Sequence, residues 1–468
     1  MLFNSLEFAA FFAAVYAAYL LLPHRAQNRL LLFASYFFYG CWDWRFLSLI
    51  ALSTAVDFAV ARKIHASSSP SARKRLLAAS LAVNLGVLGF FKYFDFFVGS
   101  AEALLSSLGF EPGLFRLRVV LPVGISFYTF QSMSYSIDVY RRQLAPARNF
   151  FDYALFVSLF TQLVAGPIER ASHLLGQIAS PRTVSWPKIR AGAWLFFWGL
   201  FKKTVVGDNV AVLADQAFSG AAGGSAASVL LGVYAFALQI YCDFSAYSDM
   251  ARGLGMLMGF DISVNFRNPY FALDPSDFWR RWHVSLSSWL RDYLYVPLGG
   301  NRKGPRRTYL NLMLTMVLGG LWHGAAWTFV LWGVFHGAWL ALHRFLRGPA
   351  PAASPGPLGR AWRMLATFHA VCFGWLLFRA ESLHGALDML RSLFSDFRPF
   401  PDAPAWIFQL AFLGAPILLV QILQERVGDT LAPLRLSLFP RAALYASLAI
   451  MLVLFANVGS RAFIYFQF

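Results

Sequence analysis

Charge is what this chain has least of. Only 13% of its 468 residues are charged, while 58% are hydrophobic; an ordinary soluble domain has about 25% charged residues. The longest polar connections, at 66–75, 180–190, 301–307 and 347–360, are of linker length, which excludes a soluble domain with its own core. Cysteine is scarce too: Cys41, Cys242 and Cys372 are odd in number, widely spaced and beside apolar residues. This excludes a disulfide framework and suits small buried hydrophobes. No His-Glu-x-x-His spacing occurs, so no metal site is expected, and no internal repeat of the inverted-repeat transporter kind is visible. Residues 1–23 lack a basic leading region and a small-residue cleavage site, and are read as a retained helix.

What is present is a succession of apolar runs, among them 8–22, 76–91, 191–201, 229–240, 310–342 and 443–458. A helix crosses a bilayer in about 20 apolar residues, so the chain is expected to be an all-α polytopic membrane protein. Some runs are short, and the expectation is roughly ten to twelve crossings plus re-entrant and interfacial pieces. The formal charge is +17, but its cations fall in small clusters between apolar runs rather than along a soluble face. That is positive-inside topology, not a nucleic-acid surface. Arg25 and Arg29, then Arg62, Lys63 and Arg73 to Arg75, then Arg141, Arg142 and Arg148 mark inside loops. The same count run back from Arg441, Arg435, Arg363 and Arg360 leaves both termini outside.

The middle of the chain interrupts the helix pattern. Segments 121–126, 164–170 and 241–249 put glycine, proline, hydroxyls and carboxylates among apolar residues. Irregular backbone at membrane depth needs protein or a water-filled cavity to satisfy it, so a polar pocket or tunnel is expected.

Two histidines lie in or beside such segments: His283, after Phe278, Trp279, Arg280, Arg281 and Trp282, and His323, between Trp322 and Gly324. Ionisable side chains at membrane depth are costly, and a functional role is the default reading. Neutral imidazole accepts a proton from a thiol or hydroxyl and returns it, as general acid-base catalysis requires. His323 has uncharged runs on both sides and is the expected catalytic base. His283 shares its stretch with Arg280, Arg281, Arg291 and Asp292, which leaves an active-site partner and an interfacial structural histidine both open. His336 and His343 share a helix face, but thirteen residues from His323 to His336 is about 220° of helix, which argues against a shared zinc site.

Asp243 and Asp249 bracket residues 244–248, with Arg252 one helix turn beyond Asp249; a buried ion pair fixing helix packing is the main reading. Gln131, Ser132 and Ser134 either line a passage or bridge helices. The last residues, 463–468, alternate aromatics around Tyr465. They read as an interfacial anchor or, more sharply, as an acyl carrier, since a phenol ester has a good leaving group.

Taken together, the stretches 278–293, 297–302, 320–324, 124–131 and 243–250 resemble the membrane-bound O-acyltransferases, in particular their bacterial alginate O-acetyltransferase-like branch. The resemblance implies one integral membrane domain over 1–468, with core motifs in 121–344, and a ring of helices around a central tunnel. It places the family's invariant histidine at His323 and its more variable polar position, forty residues earlier, at His283. The ending 463–468 is similar to a carboxyl-terminal motif proposed to carry an acyl-tyrosine, and Tyr465 is the matching residue.

The expected activity is transfer of an acetyl group from cytoplasmic acetyl-CoA across a bacterial inner membrane, for O-acetylation of an extracytoplasmic polysaccharide. Acetyl-CoA is a substrate here, and no tightly bound cofactor is expected. Arg280, Arg281, Arg302 and Lys303 are candidates to attract the donor's phosphates. The acceptor side is a carbohydrate or a periplasmic SGNH-type acyltransferase partner. Two alternatives stand beside this reading: a D-alanyl carrier protein as donor, and a proton-coupled transporter or flippase.

Overall fold

The computed structural model describes residues 1–457, apart from 111–112, 114–116, 118, 165 and 348–355; every regular element among the described residues is helical. Among the described residues, seven helical segments are long and apolar enough to cross a membrane: His24–Ala66, Pro70–Ser107, Ala226–Leu257, Trp327–Arg347, Pro357–Arg379, Ala403–Val427 and Leu438–Phe455. Leu6–Leu21 and Phe150–Leu163 are shorter apolar helices. These numbers stand against the expected ten to twelve crossings, and part of the difference is a matter of breaks. His24–Ala66 is interrupted by a tight turn at Trp44–Phe46, before which Asp43 is extended (φ −160°, ψ 109°) and its carboxylate accepts the Arg45 N–H. The two helices it separates, His24–Asp43 and Leu47–Ala66, have 20 residues each, or about 30 Å, the thickness of a bilayer's hydrocarbon core.

Large apolar side chains lie exposed on several of these helices, such as Phe439 (84%), Val453 (85%) and Leu358 (88%). Such surface is stable in lipid and not in water. The chain is a multi-pass membrane protein.

By internal contacts it divides into two compact units, residues 1–189 with 254–263, and residues 190–253 with 264 onward. In the first unit the helices Leu47–Ala66, Pro70–Leu88 and Ile125–Tyr140 pack together around Asp57. That buried carboxylate accepts hydrogen bonds from the hydroxyls of Ser80 and Ser136 and from the Asn84 amide. Without water at that depth, each oxygen has to be satisfied by a neighbouring helix. Gln131 acts in the same way, its amide donating to the Phe156 carbonyl at 2.6 Å, as Gln162 does at 2.7 Å. It bridges helices. The segment 254–263 is held by Glu169, fully buried, which accepts the Ser263 N–H at 2.6 Å and hydroxyl at 3.1 Å.

The second unit contains both histidines. Its helices Gly304–His323 and Trp327–Arg347 form the most extensively packed helix pair among the described residues. Glycine makes the approach close: a Cβ on Gly320 would stand 2.2 Å from the Phe329 carbonyl, and one on Gly333 2.5 Å from the Met316 carbonyl. Small residues at the contact let backbones approach where hydrophobicity alone drives nothing, because lipid is equally apolar. Of the cysteines, Cys242 and Cys372 are buried as expected, whereas Cys41 is exposed. It sits on an apolar helix whose other exposed residues include Phe33 and Phe37, a surface lipid tolerates as readily as a core does.

Candidate active site

His323 is the last residue of the helix Gly304–His323. The chain leaves it through Gly324 in extended conformation, where a Cβ would lie 2.0 Å from the Phe329 ring. Glycine at 324 is therefore a packing requirement that lets the helix stop with His323 pointing inward. The imidazole is 4% exposed, with the Trp332 ring at 5.1 Å, Trp322 at 5.1 Å and Phe378 at 5.4 Å between centroids.

His283 lies between two short helices, Pro275–Arg281 and Val284–Leu290, with left-handed backbone (φ 43°, ψ 54°). Such a conformation is uncommon outside glycine and is kept only where surroundings enforce it. Asn265 is the enforcing residue: its carbonyl accepts the Val284 N–H at 2.9 Å, and its side-chain oxygen accepts the Ser285 N–H at 3.1 Å and hydroxyl at 2.9 Å. These bonds satisfy donors at a helix start that would otherwise be orphaned in an apolar interior. The interfacial alternative for His283 does not fit the geometry. Its side chain is fully buried, 4.6 Å from the Phe244 ring, and its ring centroid is 6.3 Å from that of His323.

Behind Phe244 lies a charged network whose two lysines did not stand out in the sequence. Lys203 is 2.9 Å from Asp208 and 2.5 Å from Asp243; Lys202 is 2.7 Å from Asp249 and donates to Ser245 at 2.7 Å; Arg252 is 3.6 Å from Asp249. Asp243 thus forms a buried ion pair, while Asp249 is paired but partly exposed, and the principal partners of both are lysines. Both lysines sit on a π-helical stretch, Lys202–Gly207, a wide turn often found at functional sites. The same stretch receives the end of the described chain: Asn457 donates its N–H to the Thr204 carbonyl at 3.0 Å, and Asn209 donates to the Phe455 carbonyl at 2.8 Å. Tyr465 lies outside the described residues.

Arg280 and Arg281 line a cavity of about 550 Å³ together with Arg267, Asp277, Glu425 and Asp429. Arg281 is held by Asp277 at 3.1 Å and Glu425 at 2.6 Å; Arg280 is more exposed and lies 3.7 Å from Asp277. Arg302 and Lys303 are exposed just ahead of the helix Gly304–His323. A second cavity, about 490 Å³, is lined by Asp274, Trp339, His343, Arg347, Trp362 and Arg363 among others. Among the described residues, no group of three or more histidine, cysteine or acidic side chains is placed to hold a metal ion.

A deeply buried pair of imidazoles in an aromatic enclosure of a multi-pass protein is a setting for proton transfer to and from a bound substrate. The sequence comparisons name the class. The family model of the membrane-bound O-acyltransferases matches residues 142–354, which contain both histidines. This chain belongs to that family and is an O-acyltransferase.

Among its relatives, a probable alginate O-acetylase, AlgI, of Pseudomonas putida is 44% identical over 397 residues, covering 84% of this chain and 80% of that protein. A peptidoglycan O-acetyltransferase of Helicobacter pylori is 38% identical over 427 residues, covering 84% and 80%. A teichoic acid D-alanyltransferase of Bacillus subtilis is 25% identical over 280 residues, covering 56% and 69%. The family resemblance read from the motifs is thereby borne out.

Proposed function

We propose that the protein transfers an acetyl group from cytoplasmic acetyl-CoA across a bacterial inner membrane, for O-acetylation of an extracytoplasmic polysaccharide. The observation that carries this reading is the 6.3 Å separation of the buried His283 and His323 rings, in a chain whose relatives at 44% and 38% identity are O-acetylating proteins. The much lower identity to the D-alanyltransferase, 25%, disfavours a D-alanyl carrier protein as donor.

His323 takes the proton of an acceptor hydroxyl. The freed oxygen attacks the thioester carbonyl, a C–O bond forms, the C–S bond breaks, and the imidazolium returns the proton to the departing thiolate. His283 orients or polarises the thioester carbonyl from the other side. The donor's phosphates are attracted by Arg280, Arg281, Arg302 and Lys303; Arg280 contributes most within its cavity, because Arg281 is engaged by two carboxylates. The acceptor is the phenol of Tyr465, on a tail that starts at the outer face, and a polysaccharide or a periplasmic SGNH-type acyltransferase receives the group from it.

The test is incubation of the purified protein with acetyl-labelled acetyl-CoA, followed by mapping of the label. Release of CoA with label on Tyr465 is expected. Flux of a polar solute without thioester turnover would instead mark a transporter. CoA release with equal polymer acetylation by Tyr465→Phe would remove the tyrosine relay and leave the histidine chemistry standing.

A further inference from the structure

His336 takes no part in the chemistry above, yet it is as deeply buried as His283, with no exposed surface. It lies on the helix Trp327–Arg347 inside a cage of rings: Trp332 at 4.6 Å, Trp279 at 5.1 Å, Phe335 at 5.2 Å and Trp339 at 5.9 Å between centroids. Among the described residues, neither of its nitrogens has a hydrogen-bond partner, and the same is true of the indole nitrogens of Trp332 and Trp279. Buried polar atoms are rarely left so, and neighbouring ones call for a partner that serves more than one.

Two of these atoms lie against the same glycine. A Cβ on Gly374 would stand 2.8 Å from His336 Nε2 and 3.5 Å from Trp332 Nε1. Glycine at 374 therefore keeps both nitrogens clear of a neighbouring side chain. Trp332 is in turn the connection to the catalytic centre, since its ring contacts His336 on one side and His323, at 5.1 Å and 81°, on the other.

We propose that His336 is a positioning residue for acyl transfer: with the indole N–H of Trp332 it binds one small hydrogen-bonding molecule, a water, which fixes Trp332 and through it the tilt of His323. The imidazole supplies the acceptor that the indole donor lacks. An apolar ring at 336 fills the cage equally well but leaves Trp332 without that constraint. This rests on His323 being the catalytic base, as proposed above.

The experiment measures kcat and KM for acetyl-CoA in purified His336→Phe, His336→Gln, Trp332→Phe and the double variant His336→Phe/Trp332→Phe, with thermal unfolding as a check on folding. The expected result is a kcat about tenfold lower in each Phe variant with KM unchanged, and substantial recovery in His336→Gln. The double variant should be no worse than either single one, because both remove the same bridge. Gly374→Ala, which pushes a methyl group against His336 Nε2, is expected to lower kcat in the same way and serves if His336→Phe fails to fold. Parental kcat in a folded His336→Phe, or losses that multiply in the double variant, would overturn the proposal. An active His323→Ala protein would sink the catalytic reading itself, so the two failures are distinguishable.

Discussion

His283 and His323, forty residues apart in sequence, bring their ring centroids to 6.3 Å in the interior of the second unit. One imidazole closes a long helix and the other occupies a left-handed kink between two short ones. If both serve one thioester, their loss should be unequal. His323→Ala is expected to lower polymer acetylation in cells by about a hundredfold or more, the usual contribution of a general base. His283→Ala should cost about tenfold, the effect of losing roughly 1.4 kcal/mol of transition-state stabilisation. Measuring acetyl content of the secreted polymer at matched protein levels checks both, and full activity in folded His323→Ala would refute the assignment.

Asn265 should matter through the backbone it holds. Its side-chain oxygen serves both the N–H and the hydroxyl of Ser285. Asn265→Ala leaves two buried donors without their acceptor, at a cost of about 1–3 kcal/mol each. The expected outcome is a lower unfolding temperature together with reduced activity, because the same bonds hold the backbone next to His283. Asn265→Asp, which keeps the acceptor, should retain more of both; equal losses in the two variants would count against this role.

Lys203 pairs with two carboxylates at once, and its side chain is 1% exposed. Replacing it by methionine keeps the volume but removes the cation that Asp208 and Asp243 share. Breaking a buried pair in this way costs about 3–5 kcal/mol. Poor yield in detergent and a large drop in unfolding temperature are expected, with partial recovery when Asp208→Asn is added. Wild-type stability in Lys203→Met would show that the network holds little.

His173 offers a pH test in the first unit. Asp261, 3.9 Å from its Nε2, and Glu169, 2.8 Å from its Nδ1, raise its pKa from 6.5 to about 10. The firm contact is Glu169, since Asp261 is beyond hydrogen-bond reach and acts through its charge. With the folded pKa above the unfolded one, the pair's stabilisation is complete below about pH 6.5 and is lost as pH rises through about 10. Unfolding temperature should decline across that window in the parent protein, and His173→Ala should flatten the decline. A slope unchanged by the substitution would contradict the pairing.

Much of this was legible in the sequence because hydropathy reports solvent directly. Apolar runs announced a helical membrane protein, and the rare polar residues inside them marked His283, His323, Asp243 and Asp249. What stayed hidden depends on partners distant in sequence. Lys202 and Lys203 directly follow the apolar run 191–201 and look like an interfacial positive cluster; only folding brings Asp208, Asp243 and Asp249 to them. The role of Asn265 is invisible for the same reason, as an isolated asparagine carries no periodic signal. Nor does residue type reveal that His283 adopts φ 43°, because left-handed backbone at a non-glycine residue is imposed by its neighbours.

The hydrogen bonds that fasten Phe455 and Asn457 beside the π-helical turn set a leash. Seven residues lie between Asn457 and Tyr465, eight Cα-to-Cα steps, and a fully stretched chain spans about 3.4 Å per step. If the proposed relay through Tyr465 operates, the Cα of that residue can reach no more than roughly 27 Å from the anchor, with the phenol one side-chain length beyond it. A hand-off point must fall inside that radius, and shortening or lengthening the tail would shift the delivery range without touching either imidazole.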